Sequence, residues 1–251
     1  MKIALLMGPR SIEIQDVDLP ELRPGEVLVH VKAAGICGTD IDAYKGHQPR
    51  GWTITYPFRM GHEFSGVVSG VGSGVQDLKV GDHVVADGRL PCGKCSQCRS
   101  GNVNACTNGG YISGGFMEYS AFPEKCLVRV PESIPFEHAA FAEPLSCCLY
   151  GNRKLNVNPG DTAVIIGDGA IGVLHAQIMK LRGARTVLVG LIDKRLQIAK
   201  DLGIDYVINA NEEDVTASIM ELTGDCGANQ VVCAVGAEAV LQQALEVSAR
   251  F

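Results

Sequence analysis

The sequence has little positive charge. Its 22 lysines and arginines are outnumbered by 28 aspartates and glutamates, giving a net charge of −6. No basic run offsets that balance, which argues against a nucleic-acid or anionic-membrane partner. Long apolar runs are also missing, so no stretch reads as a membrane span. The apolar run within Met1–Gly8 is too short for a secretory signal. Low-complexity segments and repeats are absent, apart from a β–α alternation in the second half. These absences lead us to expect a cytoplasmic protein. With 251 residues, 46% of them hydrophobic, the chain can bury a sizeable core in one or two domains.

Cysteine, by contrast, is plentiful. Ten is many for a cytoplasmic chain, and four fall within fifteen residues. In a reducing compartment such clustering points to metal rather than disulfides. Cys92, Cys95, Cys98 and Cys106 follow the spacing Cys-x2-Cys-x2-Cys-x7-Cys, and Pro91, Gly93 and Gly101 let the loop fold back. Four thiolates close a tetrahedral sphere and leave no position for substrate, so this site reads as structural zinc. An iron–sulfur cluster or unpaired thiols are the competing readings. Cys126, Cys147, Cys148, Cys226 and Cys233 read as small core residues.

Residues 1 to about 90 read as short strands punctuated by glycine, among them Ser11–Asp18, Val27–Lys32, Glu63–Val71 and Val80–Val85. That style suggests a compact, β-rich, barrel-like domain. His83 reads as packing within it. Gly35-Ile36-Cys37-Gly38-Thr39-Asp40 is a small-residue turn after a strand, and Gly61-His62-Glu63-Phe64-Ser65-Gly66 opens the next one. Alone, Cys37 is a buried small hydrophobe and His62-Glu63 a solvated turn. Together, a thiol and an imidazole on different loops suit a catalytic zinc, which needs three protein ligands and an open position. The third ligand is Glu63 or Glu143. Glu143 sits in the apolar run Ala139–Leu145, where a carboxylate needs a cation or strong hydrogen bonds.

The second half alternates strand and helix. Thr162–Ile166 is a β-branched run typical of a buried parallel strand. Gly167-Asp168-Gly169-Ala170-Ile171-Gly172 follows directly, and Val173–Leu181 reads as a helix. In that context Gly167 allows the tight turn, Gly169 lets backbone approach a pyrophosphate, and Gly172 lets helix and strand pack. After the next strand, Thr186–Val189, an acid for the ribose of NAD is expected, yet Gly190 stands there. Asp193 comes late, and Lys194 and Arg195 follow it. Basic residues in place of the acid would suit NADP, so the cofactor stays open between NAD and NADP. Further strands read at Tyr206–Ile208 and Asn229–Gly236, with helices at Arg195–Leu202, Glu213–Leu222 and Ala239–Ser248.

Together, Gly-Ile-Cys-Gly-Thr-Asp at 35–40, Gly-His-Glu at 61–63, the four-cysteine lobe, Glu-Pro-Leu at 143–145 and the glycine fingerprint resemble the zinc-dependent medium-chain alcohol dehydrogenase superfamily. Glu143 resembles its polyol (sorbitol), glucose and threonine dehydrogenase branch. The resemblance implies a GroES-like zinc-binding catalytic domain over 1–150. It implies a Rossmann doubly wound parallel sheet over 151–251, left incomplete, since such sheets have six strands and this chain stops after what reads as the fourth. A truncated or fragmentary chain is therefore expected.

By resemblance, Cys37, His62, Glu63 and Glu143 surround a catalytic zinc, with Glu63 and Glu143 alternating or bonding through water. Thr39 relays the substrate proton, while Ile171 and Arg195 line the adenosine and ribose site. Two zinc ions per chain follow, with a homodimer or homotetramer at full length. Threonine dehydrogenases carry a histidine where this chain has Asp42, which weighs against threonine as substrate. The implied activity is hydride transfer between a secondary alcohol or polyol and NAD(P). The rivals are a zinc-stabilised binding module and an inactive zinc-binding remnant. A zinc-free quinone reductase is disfavoured because both metal sets look complete.

Overall fold

A computed structural model describes residues 1–48 and 53–250. The chain divides into two compact units, Met1–Glu143 and Pro144–Phe251.

The first unit contains strands β1 (Lys2–Gly8), β2 (Ser11–Asp16), β3 (Glu26–Gly35), β4 (Phe58–Arg59), β5 (Glu63–Val71), β6 (His83–Ala86), β7 (Arg89–Leu90), β8 (Gly110–Tyr111), β9 (Tyr119–Pro123) and β10 (Leu127–Arg129). Its helices are α1 (Gly38–Lys45), α2 (Ser96–Arg99) and α3 (Phe136–Ala139). Five strands form an antiparallel sheet in the order β10-β6-β5-β3-β9, and β2-β1-β4 form a second sheet. Alternate side chains turn inward, as the two-residue period of a strand requires. Val27 and Val29 of β3, Phe64 and Val68 of β5 and Phe122 of β9 share one core. The Phe64 and Phe122 rings stack with centroids 4.6 Å apart. The strand expected at Val80–Val85 starts only at His83, because Gly81 takes a turn at φ +97°. His83 packs on the ring of Phe136, 4.6 Å between centroids.

Helix α4 (Ala142–Asn152) opens at the junction, and the expected boundary after residue 150 falls inside it. The second unit then holds β11 (Thr162–Ile166), α5 (Ala170–Leu181), β12 (Arg185–Gly190), α6 (Asp193–Asp201), β13 (Tyr206–Asn209), α7 (Val215–Thr223), β14 (Gln230–Cys233) and α8 (Glu238–Val247). The strands are parallel in the order β13-β12-β11-β14. Every residue of β11 is buried, because the strand is paired on both edges and covered on both faces. Ala163 and Ile165 face Ala176 and Met179 of α5 and Leu196 and Ala199 of α6. Val164 and Ile166 face Val215 and Ile219 of α7 and Ala244 and Val247 of α8. Helices on both faces of a parallel sheet make the doubly wound fold. Among the described residues, no helix is long and apolar enough to cross a membrane.

Two cysteines depart from expectation. Cys126 and Cys148 are buried and Cys233 is half-buried, but Cys147 and Cys226 are exposed. Cys147 lies on an outer face of α4, and Cys226 lies in the turn after α7, where local apolar neighbours did not imply burial.

Asp205 ties three parts of the second unit together. Its carboxylate accepts from the Thr186 amide and hydroxyl, each at 2.9 Å, and pairs with Lys180 of α5. Burial disfavours its charge, but the Lys180 and Thr186 hydrogen bonds outweigh that and hold its pKa below the ordinary value. Asp205→Ala should therefore cost about 1–3 kcal/mol at neutral pH by leaving Thr186 without its acceptor, as read by urea denaturation. The sign follows from the lowered pKa. The contribution is complete above the unfolded value of about 3.9 and fades as pH falls through the lower folded value.

Candidate metal centre and nucleotide loop

Antiparallel pairing places the first cluster. Gly35, the last residue of β3, lies opposite Glu63, the first of β5. The residues just outside that pair, Cys37 and His62, therefore arrive at the same end of the sheet. Ligand atoms of Cys37, His62 and Glu63 lie within 4.8 Å of one another, and all three residues are half-buried. A Cβ on Gly35 would lie 2.4 Å from the Glu63 Oε2, so a side chain there would displace that carboxylate from its present place. Gly61, at φ +84°, has Phe116 packed where its side chain would be, at 2.6 Å. The Gly61 carbonyl accepts from the Gly114 and Gly115 amides at 3.0 and 2.9 Å, which pins the turn carrying His62.

Asp40 was not singled out from sequence as a site residue, yet it holds the two loops together. It is buried in the first turn of α1. One carboxylate oxygen accepts from the Cys37 amide at 3.0 Å, and the other accepts from the Gly61 amide at 3.1 Å. One side chain thus fixes the backbone at Cys37 and just before His62. The hydrogen bond to Cys37 raises the His62 pKa to about 9; burial opposes this, and the charges of Cys37, Asp40 and Glu143 add to it. Glu143 lies half-buried in the first turn of α4. Thr39 is exposed on α1, two residues beyond Cys37. A thiol, an imidazole and a carboxylate converging at this range form a donor set that suits a borderline divalent cation such as zinc.

Asp40→Asn should loosen this arrangement without unfolding the unit. The amide keeps one acceptor but turns an NH2 group toward a backbone N–H. We expect metal affinity at this cluster to fall about 10- to 100-fold, the scale for losing an outer-shell partner. Competition with a chelator would read that loss, alongside turnover. A fall in melting temperature with unchanged metal affinity would show a merely structural role.

The second cluster gathers Cys92, Cys95, Cys98 and Cys106 within 4.8 Å. Cys95 caps α2, and its sulfur accepts from the Cys98 amide at 3.5 Å, while the Cys106 sulfur accepts from the Cys92 amide at 3.3 Å. The Cys92–Cys98 and Cys95–Cys106 sulfurs are 4.0 and 3.9 Å apart. Tetrahedral zinc with bonds of about 2.3 Å needs edges of about 3.8 Å, so the four sulfurs fit it. Backbone amides of Cys98 and Thr107 pull the Cys95 thiol down to about 5, whereas desolvation, then neighbouring thiols, pushes Cys98 up to about 12. Four adjacent thiols resist shared ionisation, and a divalent cation relieves that conflict.

In the second unit, the loop between β11 and α5 has the geometry its glycines imply. Gly167 sits at φ +125°, and a Cβ on Gly172 would lie 1.8 Å from the Gly167 oxygen. Gly169 caps α5, and the position of its absent side chain is open. An open helix N-terminus behind a bare backbone is suited to a pyrophosphate. Ile171 is exposed beside it. Asp193 accepts from the Asn209 amide group at 2.6 Å, and Arg195 Nη1 lies 3.5 Å from Asp168 Oδ1. Asp168 itself reaches the end of β12, which its place in the fingerprint did not reveal.

A thiol–imidazole–carboxylate cluster in one unit and a glycine-loop parallel sheet in the other define a class, the metal- and dinucleotide-using oxidoreductases. Family comparison agrees. Residues 23–132 match the alcohol dehydrogenase GroES-like domain, and residues 170–251 match the zinc-binding dehydrogenase domain. The chain is 33% identical over 251 residues to a sorbitol dehydrogenase of Bacillus subtilis, covering 98% of this chain and 71% of that one. It is 38% identical over 243 residues to an L-threonine 3-dehydrogenase of Pyrococcus horikoshii, covering 93% and 68%. A solved zinc-binding dehydrogenase from Sinorhizobium meliloti, bound to NADP, superposes with a TM-score of 0.92 at 33% identity, covering 99% of this chain and 73% of that one. The chain belongs to the zinc-binding alcohol dehydrogenase family, and it is an oxidoreductase by that membership.

Proposed function

We infer that the chain is built to transfer a hydride between a secondary alcohol or polyol and a nicotinamide dinucleotide. The observation that carries this reading is the convergence of Cys37, His62 and Glu63 at the β3–β5 end, in a chain that also carries the glycine loop. We assign residues 1–150 as the catalytic domain and 151–251 as the nucleotide domain. Cys37, His62 and Glu63 would hold a catalytic zinc, with Glu143 supplying further negative charge. The four lobe cysteines would hold a structural one.

When bound, zinc supplies Lewis acidity that lowers the pKa of a substrate hydroxyl, and the nicotinamide supplies the hydride acceptor. The chain's residues do the rest. Cys37 and His62 would hold the metal, and Asp40 fixes both their loops. The Thr39 hydroxyl takes the proton from the substrate oxygen and passes it to solvent. The carbinol C–H bond breaks with both electrons leaving as hydride, so alcohol becomes ketone with one proton released. Gly167 makes the turn, Gly172 seats α5 against it, and Gly169 would let the backbone approach the pyrophosphate and so orient the ring. A panel of polyols and secondary alcohols, followed by nicotinamide absorbance, tests the reading. Turnover of a vicinal diol or polyol supports it, and no turnover of any alcohol by zinc-loaded protein would contradict it.

A further inference from the structure

Resting on the dinucleotide reading above, we propose that Asp168 is the residue that selects the nucleotide, and that it selects NAD over NADP. Where a dinucleotide sheet of this type has an acid for the adenosine ribose, at the end of the second strand, this chain has Gly190. The structure supplies that acid from a different loop. Asp168, inside the glycine fingerprint, crosses to the tip of β12. Its Oδ2 accepts from the Leu191 amide at 3.0 Å and from the Ile192 amide at 2.8 Å.

The two positions exclude each other. A Cβ on Gly190 would lie 2.4 Å from the Asp168 Cβ and 2.7 Å from its Cγ. An acid can therefore stand at 168 only because 190 is glycine. Asp193, the other candidate, is held by Asn209. The donors around Asp168 are those a 2′-phosphate would need: two backbone amides at the start of α6 and the guanidinium of Arg195, whose Nη1 is 3.5 Å from Oδ1. The carboxylate already takes both amides and draws the guanidinium to its own charge. A 2′-phosphate brought here would lose the amide donors and meet a like charge. A free ribose hydroxyl instead finds an acceptor, because among the described residues Oδ1 has only that long contact and keeps lone pairs to spare. The Gly190 gap and the basic Lys194-Arg195 pair, read along the chain, suggest NADP; the cross-loop carboxylate reverses that reading.

The competing account is that Asp168 only caps α6. Titration of the full chain with NADH and with NADPH, followed by nicotinamide fluorescence, separates the two. The wild type should bind NADH at least about tenfold tighter. In near-isosteric Asp168→Asn, the preference should shrink at least about tenfold through a gain in NADPH affinity. Asp168→Gly combined with Gly190→Asp should restore NADH preference by returning the acid to the strand end. Equal or stronger NADPH binding by the wild type would overturn the assignment. So would an Asp168→Asn variant with lower melting temperature and an unchanged affinity ratio. Binding of neither nucleotide by the wild type would overturn the dinucleotide reading and this inference with it.

Discussion

Cys37→Ala should abolish turnover while leaving the fold in place. The Cys37–His62–Glu63 cluster has three close donors, and removing the thiolate would leave an imidazole and a carboxylate to hold zinc. We expect kcat/KM to fall beyond about a thousandfold, the upper end for losing one preorganised electrostatic stabiliser. Zinc should drop by one ion per chain. Stability should change by no more than about 0.5–1 kcal/mol. Cys37 is half-buried at the end of β3, outside the core of Val27, Val29, Phe64 and Val68. The Asp40 carboxylate bonds the backbone amide of residue 37, which alanine retains. Steady-state kinetics and metal analysis on the same sample check this. Near-normal turnover would rule out the assignment of Cys37.

Cys95→Ser should act on a different property. The loop from Cys92 to Cys106 has little core of its own, since neither α2 nor the short turn at Val103–Ala105 buries a residue. Its order then depends on metal, whose binding in small zinc modules is worth about 10–16 kcal/mol in apparent free energy. Losing one of four thiolates opens the coordination sphere and removes the α2 cap. Trypsin should cut after Lys94 or Arg99 more than about a hundredfold faster, because a local loss of ~3 kcal/mol already corresponds to that. Zinc should again fall by one ion per chain, but nucleotide binding should persist. Unchanged protease resistance with full zinc content would contradict a structural metal in this lobe.

Much of this arrangement could be read along the chain. Strands β5 and β11 match their expected limits: β11 is an unbroken apolar run, and β5 keeps its strand-like limits although Gly66 and Gly70 interrupt it. The cysteine lobe and the glycine loop are local motifs, so spacing alone reveals them. What spacing could not reveal depends on contacts across the sheet. Helix α1 was hidden because Gly38–Lys45 is short, weakly amphipathic and capped by a cysteine. The clamp made by Asp40 appears only once β3 and β5 pair and bring the Gly61 amide beside it. Asp168 was hidden for the same reason. Chain position assigns the ribose acid to residue 190, while folding delivers a carboxylate there from residue 168.

Metal stoichiometry of the purified wild-type chain tests the central claim most directly. Two donor clusters that each fit zinc require two zinc ions per chain by mass spectrometry of the metal content. Removing the lobe ion and the catalytic ion separately, through Cys95→Ser and Cys37→Ala, should leave one each. A single zinc in the wild type, lost only with Cys95→Ser, would mean that Cys37, His62 and Glu63 do not form a metal centre.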